Sequence, residues 1–246
     1  MASGCFDLLA ADYDRTWTNS AAGRLQRDAV WREMIPLFQP GDTVLDLGCG
    51  TGEDAERLEL FGVSVRALDA SPEMVRIARA RGVNAEVGRI EDIRKLGTAF
   101  DGVISNFGPL NCMENLGALR DSLVRLVRPG GYLVLCLMSR FCLIESLHFL
   151  CRRQWRKAAR RWLGQTCEER LGINVFYPSG GAVKRAMTPE FELLCRTGIG
   201  LAVPPSYVAG LSPASLAVRN RIDECVARWP FLRSMADHQL FIFTRK

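Results

Sequence analysis

The chain has 246 residues, 48% of them hydrophobic, which is enough for one large core and long for a minimal α/β domain. Two histidines and nine scattered cysteines without a C-x-x-C pair argue against a zinc centre and against a disulfide framework. The net charge of +5 is mild, yet eight basic residues against three acidic ones between positions 140 and 170 account for all of it, so the basic signal is local.

The amino terminus carries Asp7, Asp12 and Asp14 and has no apolar run behind basic residues, so a secretory signal is not expected. Residues 13–37 read as one or two helices ahead of a sheet. From residue 43 to about 137, short β-branched runs alternate with helical patterns, the mark of a parallel sheet with crossover helices. Strands are expected at 43–47, 64–68, 84–87, 101–105 and 132–137. Helices are expected at 53–61, after Ser71-Pro72-Glu73, and at 115–127 before Arg128-Pro129-Gly130-Gly131, with a short turn at 91–95. The apolar stretch 132–151 is interrupted by Arg140, Glu145 and His148, which favours a strand followed by a helix over a membrane span. Beyond it the sequence predicts a long basic helix, a hairpin around Pro178-Ser179-Gly180-Gly181, a helix opening at Thr188-Pro189-Glu190, a sixth strand at 200–203 and a last strand at 239–244. No linker or repeat divides the chain, so one domain over 1–246 is expected.

The informative run is Val44-Leu45-Asp46-Leu47-Gly48-Cys49-Gly50-Thr51-Gly52, a buried strand entering three alternating glycines and then a helix. Glycine is needed where φ is positive or a ligand presses on the backbone, and such turns are where doubly wound sheets bind nucleotides. The spacing is neither the dinucleotide fingerprint nor the phosphate-cradling loop, and no lysine follows Gly52. Asp46, inside the strand, needs a hydrogen-bonding partner if buried, either its own loop or a ligand ammonium. Asp69 ends the second strand beside the glycine turn, where a carboxylate can accept from both hydroxyls of a ribose.

These residues resemble the class I S-adenosylmethionine-dependent methyltransferases of the small-molecule branch, over roughly residues 43–137 and, for the antiparallel last strand, 239–244. The resemblance implies a doubly wound, mostly parallel seven-stranded α/β sheet, the Rossmann-like methyltransferase fold, with helical cap insertions at 13–37, 141–187 and 204–236. It implies S-adenosylmethionine as cofactor, with Gly48 and Gly50 along its methionine part and Asp69 on the ribose. Ala70 and Met74 follow beside Asp69, and Ile90 with Glu91 or Asp92 takes the adenine, since Arg89 stands where many relatives carry an acid. Asn106 would lie beside the sulfonium, and Asn106-Phe107-Gly108-Pro109 departs from the run used by enzymes that methylate nucleic-acid bases. Tyr13, in Ala11-Asp12-Tyr13-Asp14, would reach the methionine carboxylate, and Arg24 or Arg27 could pair with it.

Methyl transfer needs in-line geometry above all. If a base is required, His148, Tyr13 and Glu145 are the candidates, while His238 reads as structural. On a helix over 141–163, Ile144, Leu147, Cys151, Trp155, Ala158 and Trp162 share one arc, and Arg152, Arg153, Arg156, Lys157, Arg160 and Arg161 lie opposite. That pattern suits a lid with a solvated face, an anionic bilayer or another acidic partner. The expectation is therefore a cytoplasmic methyltransferase, peripheral to a membrane if the basic helix docks there, acting on an O, N or C nucleophile of a small, lipid-like acceptor, with no metal. The alternatives are an RNA methyltransferase using 152–161 as a phosphate track, and a non-catalytic nucleotide-binding relative.

Overall fold

The computed structural model describes residues 6–97, 99–168, 172–208 and 211–246. The chain opens with α1 (Asp7–Tyr13), a π-helical turn (Asp14–Thr18) and α2 (Ala21–Met34), which Ser20 caps by accepting from the Gly23 N–H at 3.0 Å. The alternation expected next is present: β1 (Thr43–Leu47), α3 (Glu53–Glu59), β2 (Ser64–Asp69), α4 (Pro72–Ala80), β3 (Ala85–Val87), β4 (Phe100–Ser105), α5 (Gly117–Leu126) and β5 (Val127–Met138). Ser71 caps α4 by accepting from the Met74 N–H, with Pro72 at the first helical position where its missing donor costs nothing.

The remainder comprises α6 (Leu143–Cys151), α7 (Trp155–Ala158), β6 (Gln165–Glu168), β7 (Ile173–Phe176), α8 (Gly180–Met187), β8 (Phe191–Ile199), α9 (Pro213–Val226) and β9 (His238–Arg245). Seven strands form one sheet in the order β3-β2-β1-β4-β5-β9-β8, parallel from β3 to β5, with β9 antiparallel to both neighbours. This is the Rossmann-like methyltransferase arrangement. Alternate side chains separate two buried layers. Val134, Cys136, Leu240 and Ile242 face one, with Val30 and Met34 of α2, while Leu133, Leu135, Phe241 and Phe243 face the other, with Leu119 and Leu123 of α5. Strand order reverses between β1 and β4, and a crevice opens there at the carboxyl ends of the strands.

The carboxy-terminal half differs from the sequence reading in five places. The basic helix over 141–163 is broken: α6 ends at Cys151, Arg153 takes φ +57°, and the Gln154 N–H closes back on the Phe149 carbonyl at 2.9 Å. That left-handed C-terminal turn halts the helix without glycine, so the expected apolar arc does not form. The hairpin pairs β6 with β7, ahead of Pro178, because Ser179 accepts from the Ala182 N–H and starts α8 instead of a turn. Thr188 folds its hydroxyl back onto the Lys184 carbonyl at 2.9 Å, closing α8 rather than opening a helix, and the chain continues into β8. The sixth sheet strand in chain order is thus β8, and residues 200–203 are bends beyond it. Helix α9, which the sequence reading passed over, carries a legible start: Ser212 accepts from the Ser215 N–H and Pro213 follows.

Candidate functional site

The crevice holds a cleft of about 310 Å³. Its floor is the turn after β1. Gly48 has φ +75°, and a Cβ on it would sit 2.3 Å from the Pro109 ring; Gly50 has φ +55° and open space where a Cβ would project. The first glycine is required by packing, the second leaves backbone exposed to a ligand. One Asp69 oxygen accepts the Gly50 N–H and the other accepts the Ser71 N–H, both at 2.8 Å. Burial raises the Asp69 pKa, and the backbone donors of Ser71, Gly50 and Ala70 oppose that rise. Each oxygen keeps a lone pair for a further donor.

Beneath the turn lies a crowded group of acids. Asp54, in the first turn of α3, accepts from Arg27 Nη1 at 2.6 Å, Trp31 Nε1 at 2.7 Å and Asn106 Nδ2 at 3.1 Å. Asp46 is buried, its Oδ2 has no hydrogen-bond partner, and burial with the neighbouring Asp54 carboxylate raises its pKa well above the usual range, against the pull of Arg27. Asn106 Oδ1 and Arg27 Nε are likewise buried without partners. The Arg27 guanidinium stacks on Trp17 at 4.6 Å and on Phe107 at 5.0 Å. Two orphaned acceptors and one orphaned donor beside a glycine turn fit a zwitterionic amino-acid group, which offers an ammonium and a carboxylate.

The amino-terminal segment closes one side. Asp14 accepts from the Thr51 hydroxyl at 2.7 Å and pairs with Arg81 at 2.5 Å, and Asp7 accepts from the Ser71 hydroxyl. These contacts bring Tyr13 to the cleft, where burial pushes its phenol up to about 12 against the opposing charge of Arg27. The acidic character of residues 7–14 thus serves to latch α1 onto two helix starts.

Of the expected site residues, Tyr13, Gly48, Gly50, Asp69, Ala70, Met74, Ile90, Glu91 and Asn106 all line the cleft. Asp46 lies just below it. Asp92 is paired with Lys95 at 2.7 Å and lies outside the cleft, so of the two acids expected near the adenine only Glu91 lines it. Arg27 lines the cleft, whereas Arg24 turns away to Glu53 at 2.8 Å. His148 is not among the cleft residues; it sits on α6 against the Phe149 ring. Glu145 is buried elsewhere, bonded to Arg160, Arg161 and Tyr207. Among the described residues, the segment 204–236 supplies none of the lining.

Sequence reasoning missed the far wall. Phe6, Pro109, Cys112, Met138, Ile173 and Val175 make it apolar, and Glu168 at the end of β6 is its one carboxylate among the described residues. The alternation Ile173, Val175, Tyr177 was legible as a strand, but which segment it paired with was not.

Comparison with known proteins agrees with this geometry. A family model described as a methyltransferase domain matches residues 44–131. The demethylmenaquinone methyltransferase of Clavibacter sepedonicus is 34% identical over 146 residues, covering 56% of this chain and 58% of that protein. A ubiquinone biosynthesis O-methyltransferase of Xanthomonas oryzae pv. oryzae is 34% identical over 109 residues, covering 41% and 44%. The chain therefore spans about half the length of the curated relatives it matches. An S-adenosylmethionine-dependent methyltransferase from Mesorhizobium loti shares the fold with a TM-score of 0.61 at 19% identity, covering 90% of this chain and 98% of that one. Residues 44–131 thus match a methyltransferase-domain model, and the fold is shared with solved S-adenosylmethionine-dependent methyltransferases.

Proposed function

We propose that the protein transfers a methyl group from S-adenosylmethionine to a small, apolar, quinone-like acceptor. Bound in the cleft, the cofactor supplies an electrophilic methyl on a sulfonium whose departure needs no acid. In this reading Asp69 takes the ribose hydroxyls, and Asn106 Oδ1 and Asp46 face the ammonium. Arg27 and Tyr13 take the carboxylate, and Ile90 and Glu91 flank the adenine. The β6–β7 hairpin, within the 141–187 insertion, and the segment 6–18 act as the cap, and Glu168 takes the proton from an acceptor hydroxyl. Tyr13 is poorly suited to that task, because a phenol pushed up to about 12 stays protonated at neutral pH.

The observation that carries the acceptor class is the wall of Phe6, Pro109, Cys112, Met138, Ile173 and Val175 with a single carboxylate. Such a surface favours an aromatic or prenylated ring bearing one ionisable hydroxyl. Relatives named for demethylmenaquinone and ubiquinone biosynthesis support the same class. The test is transfer of labelled methyl from S-adenosylmethionine to a prenylated quinol or catechol and, in parallel, to total RNA. Label in the quinol is expected; label in RNA with none in any quinol would overturn the reading.

A further inference from the structure

The broken basic segment leaves its apolar side chains outside. Trp155 is 66% exposed, Leu163 81%, Leu147 48% and Trp162 45%. Arg152, Arg153, Arg156 and Lys157 are exposed beside them, and none forms an ion pair among the described residues, whereas Arg160 and Arg161 are committed to Glu145 and Asp237. No acid occurs between residues 146 and 167. The Ser146 hydroxyl donates to the Ala158 carbonyl at 3.0 Å, which folds α7 against α6 and gathers these groups on one compact unit. Gly164 follows, fixed by the Tyr177 N–H at 2.7 Å, and the chain enters β6, whose Glu168 lines the cleft. Leu163 and Glu168 are five residues apart, at most about 17 Å of chain, so the exposed tryptophans and the cleft wall belong to neighbouring parts of one segment.

We propose that residues 147–163 form a docking surface for an anionic phospholipid bilayer, which would present a lipid-like acceptor to the β6–β7 side of the cleft. The purpose of the surface rests on the acceptor reading above; its chemistry does not. Indole rings with unpaired arginine and lysine beside them are what the headgroup boundary of an acidic membrane takes up. A nucleic acid would need the longer phosphate track that the inward turn of Arg160 and Arg161 removes. No helix among the described residues is long and apolar enough to cross a membrane, so the contact is a surface one.

The test uses the full chain and vesicles of phosphatidylcholine, with and without phosphatidylglycerol, read by co-sedimentation. Binding to the acidic vesicles that weakens with salt is expected, with little to the neutral ones. The double variant Arg156→Glu/Lys157→Glu and the variant Trp155→Ser should each lower the partition coefficient about tenfold or more, with S-adenosylhomocysteine affinity unchanged as evidence of an intact fold. Equal binding to neutral vesicles, no binding to acidic ones, insensitivity to both variants, or displacement of the vesicles by RNA at matched phosphate would overturn the proposal. Vesicle binding without quinol methylation would sink the acceptor reading and leave the surface standing; quinol methylation without vesicle binding would do the reverse.

Discussion

Two of the buried charge clusters among the described residues are built on opposite terms. At the junction of α6 and β9, Arg161 lies between Glu145 and Asp237, with Asp237 at 2.8 Å, Arg160 adds a bond to Glu145 at 2.7 Å, and Gln26 donates to Asp237 at 3.2 Å. Burial alone would raise both acids, but the arginines, with His238 for Asp237, outweigh it and hold both pKa values below the ordinary carboxylate range. Beneath the glycine turn the balance is reversed: Asp46 and Asp69 are raised, and Asp46, Asn106 and Arg27 each keep an unpaired atom. In the first group both carboxylates are paired, only the nitrogens Arg161 Nε and His238 Nδ1 lacking a hydrogen-bond partner, and the pairing ties residues 141–164 to the sheet. The second is incomplete in a way that a ligand with both charges would finish. Cys142 lies close enough to Glu145 and Asp237 to share a cation with them, but the guanidinium already occupies that role.

The largest break in this contrast should come from Arg161→Met. Asp237 would lose its arginine and Glu145 one of its two, leaving both buried carboxylates short of a partner, and the fold should lose about 3 kcal/mol in urea titrations. Affinity of the folded fraction for S-adenosylhomocysteine should stay close to that of the parent chain. A variant as stable as the parent would show that the cluster does not anchor the insertion.

Asp46→Asn should act with opposite signs on stability and binding. An acid whose pKa is raised on folding binds its proton more tightly in the folded state. Its ionisation therefore removes stability as pH rises from about 4 through the raised value. The amide should then stabilise the chain at neutral pH by about 1 kcal/mol while weakening the cofactor product roughly tenfold, and its advantage should vanish below about pH 4. For Asp237 and Glu145, lowered on folding, the stability is present above about pH 4 and is lost as pH falls through their folded values, so Asp237→Asn should flatten the acid limb of the pH–stability curve. Identical pH profiles for the two variants would erase the distinction.

The smallest effect concerns Tyr13→Phe. Its hydroxyl contributes one hydrogen bond to the bound tail in this account, so calorimetry should show a loss of about 1 kcal/mol in affinity with an unchanged thermal midpoint.

The two regions also differ in how far they could be read from sequence. The sheet from β1 to β5 was legible because most of its strands are apolar runs bounded by turn residues, and because Ser71-Pro72 marks a helix start locally. The glycine turn and Asp69 sit within one β–α–β unit, so their meeting follows from chain proximity. Asp54 belongs to the same unit, but in sequence it is only one more acid in the first turn of the 53–61 helix; its carboxylate meets Arg27 and Trp31 of α2 only in the folded chain. The paired cluster was out of reach altogether. Arg161 and Asp237 lie 76 positions apart, and on a helical projection Arg161 belongs to the solvated face. The break at Arg153 has no glycine or proline to announce it, and it alone turns Arg161 inward and the tryptophans outward.

The central claim is that the incomplete group of charges, with Asp69 at its edge, is the seat of S-adenosylmethionine. Calorimetry of S-adenosylhomocysteine binding to the parent chain and to Asp69→Ala, with NAD as a control ligand, tests it most directly. Loss of two hydrogen bonds from ribose hydroxyls to a charged acceptor should weaken binding about 100-fold or more, with NAD bound by neither protein. Undiminished affinity in Asp69→Ala, or preference for NAD, would contradict the account.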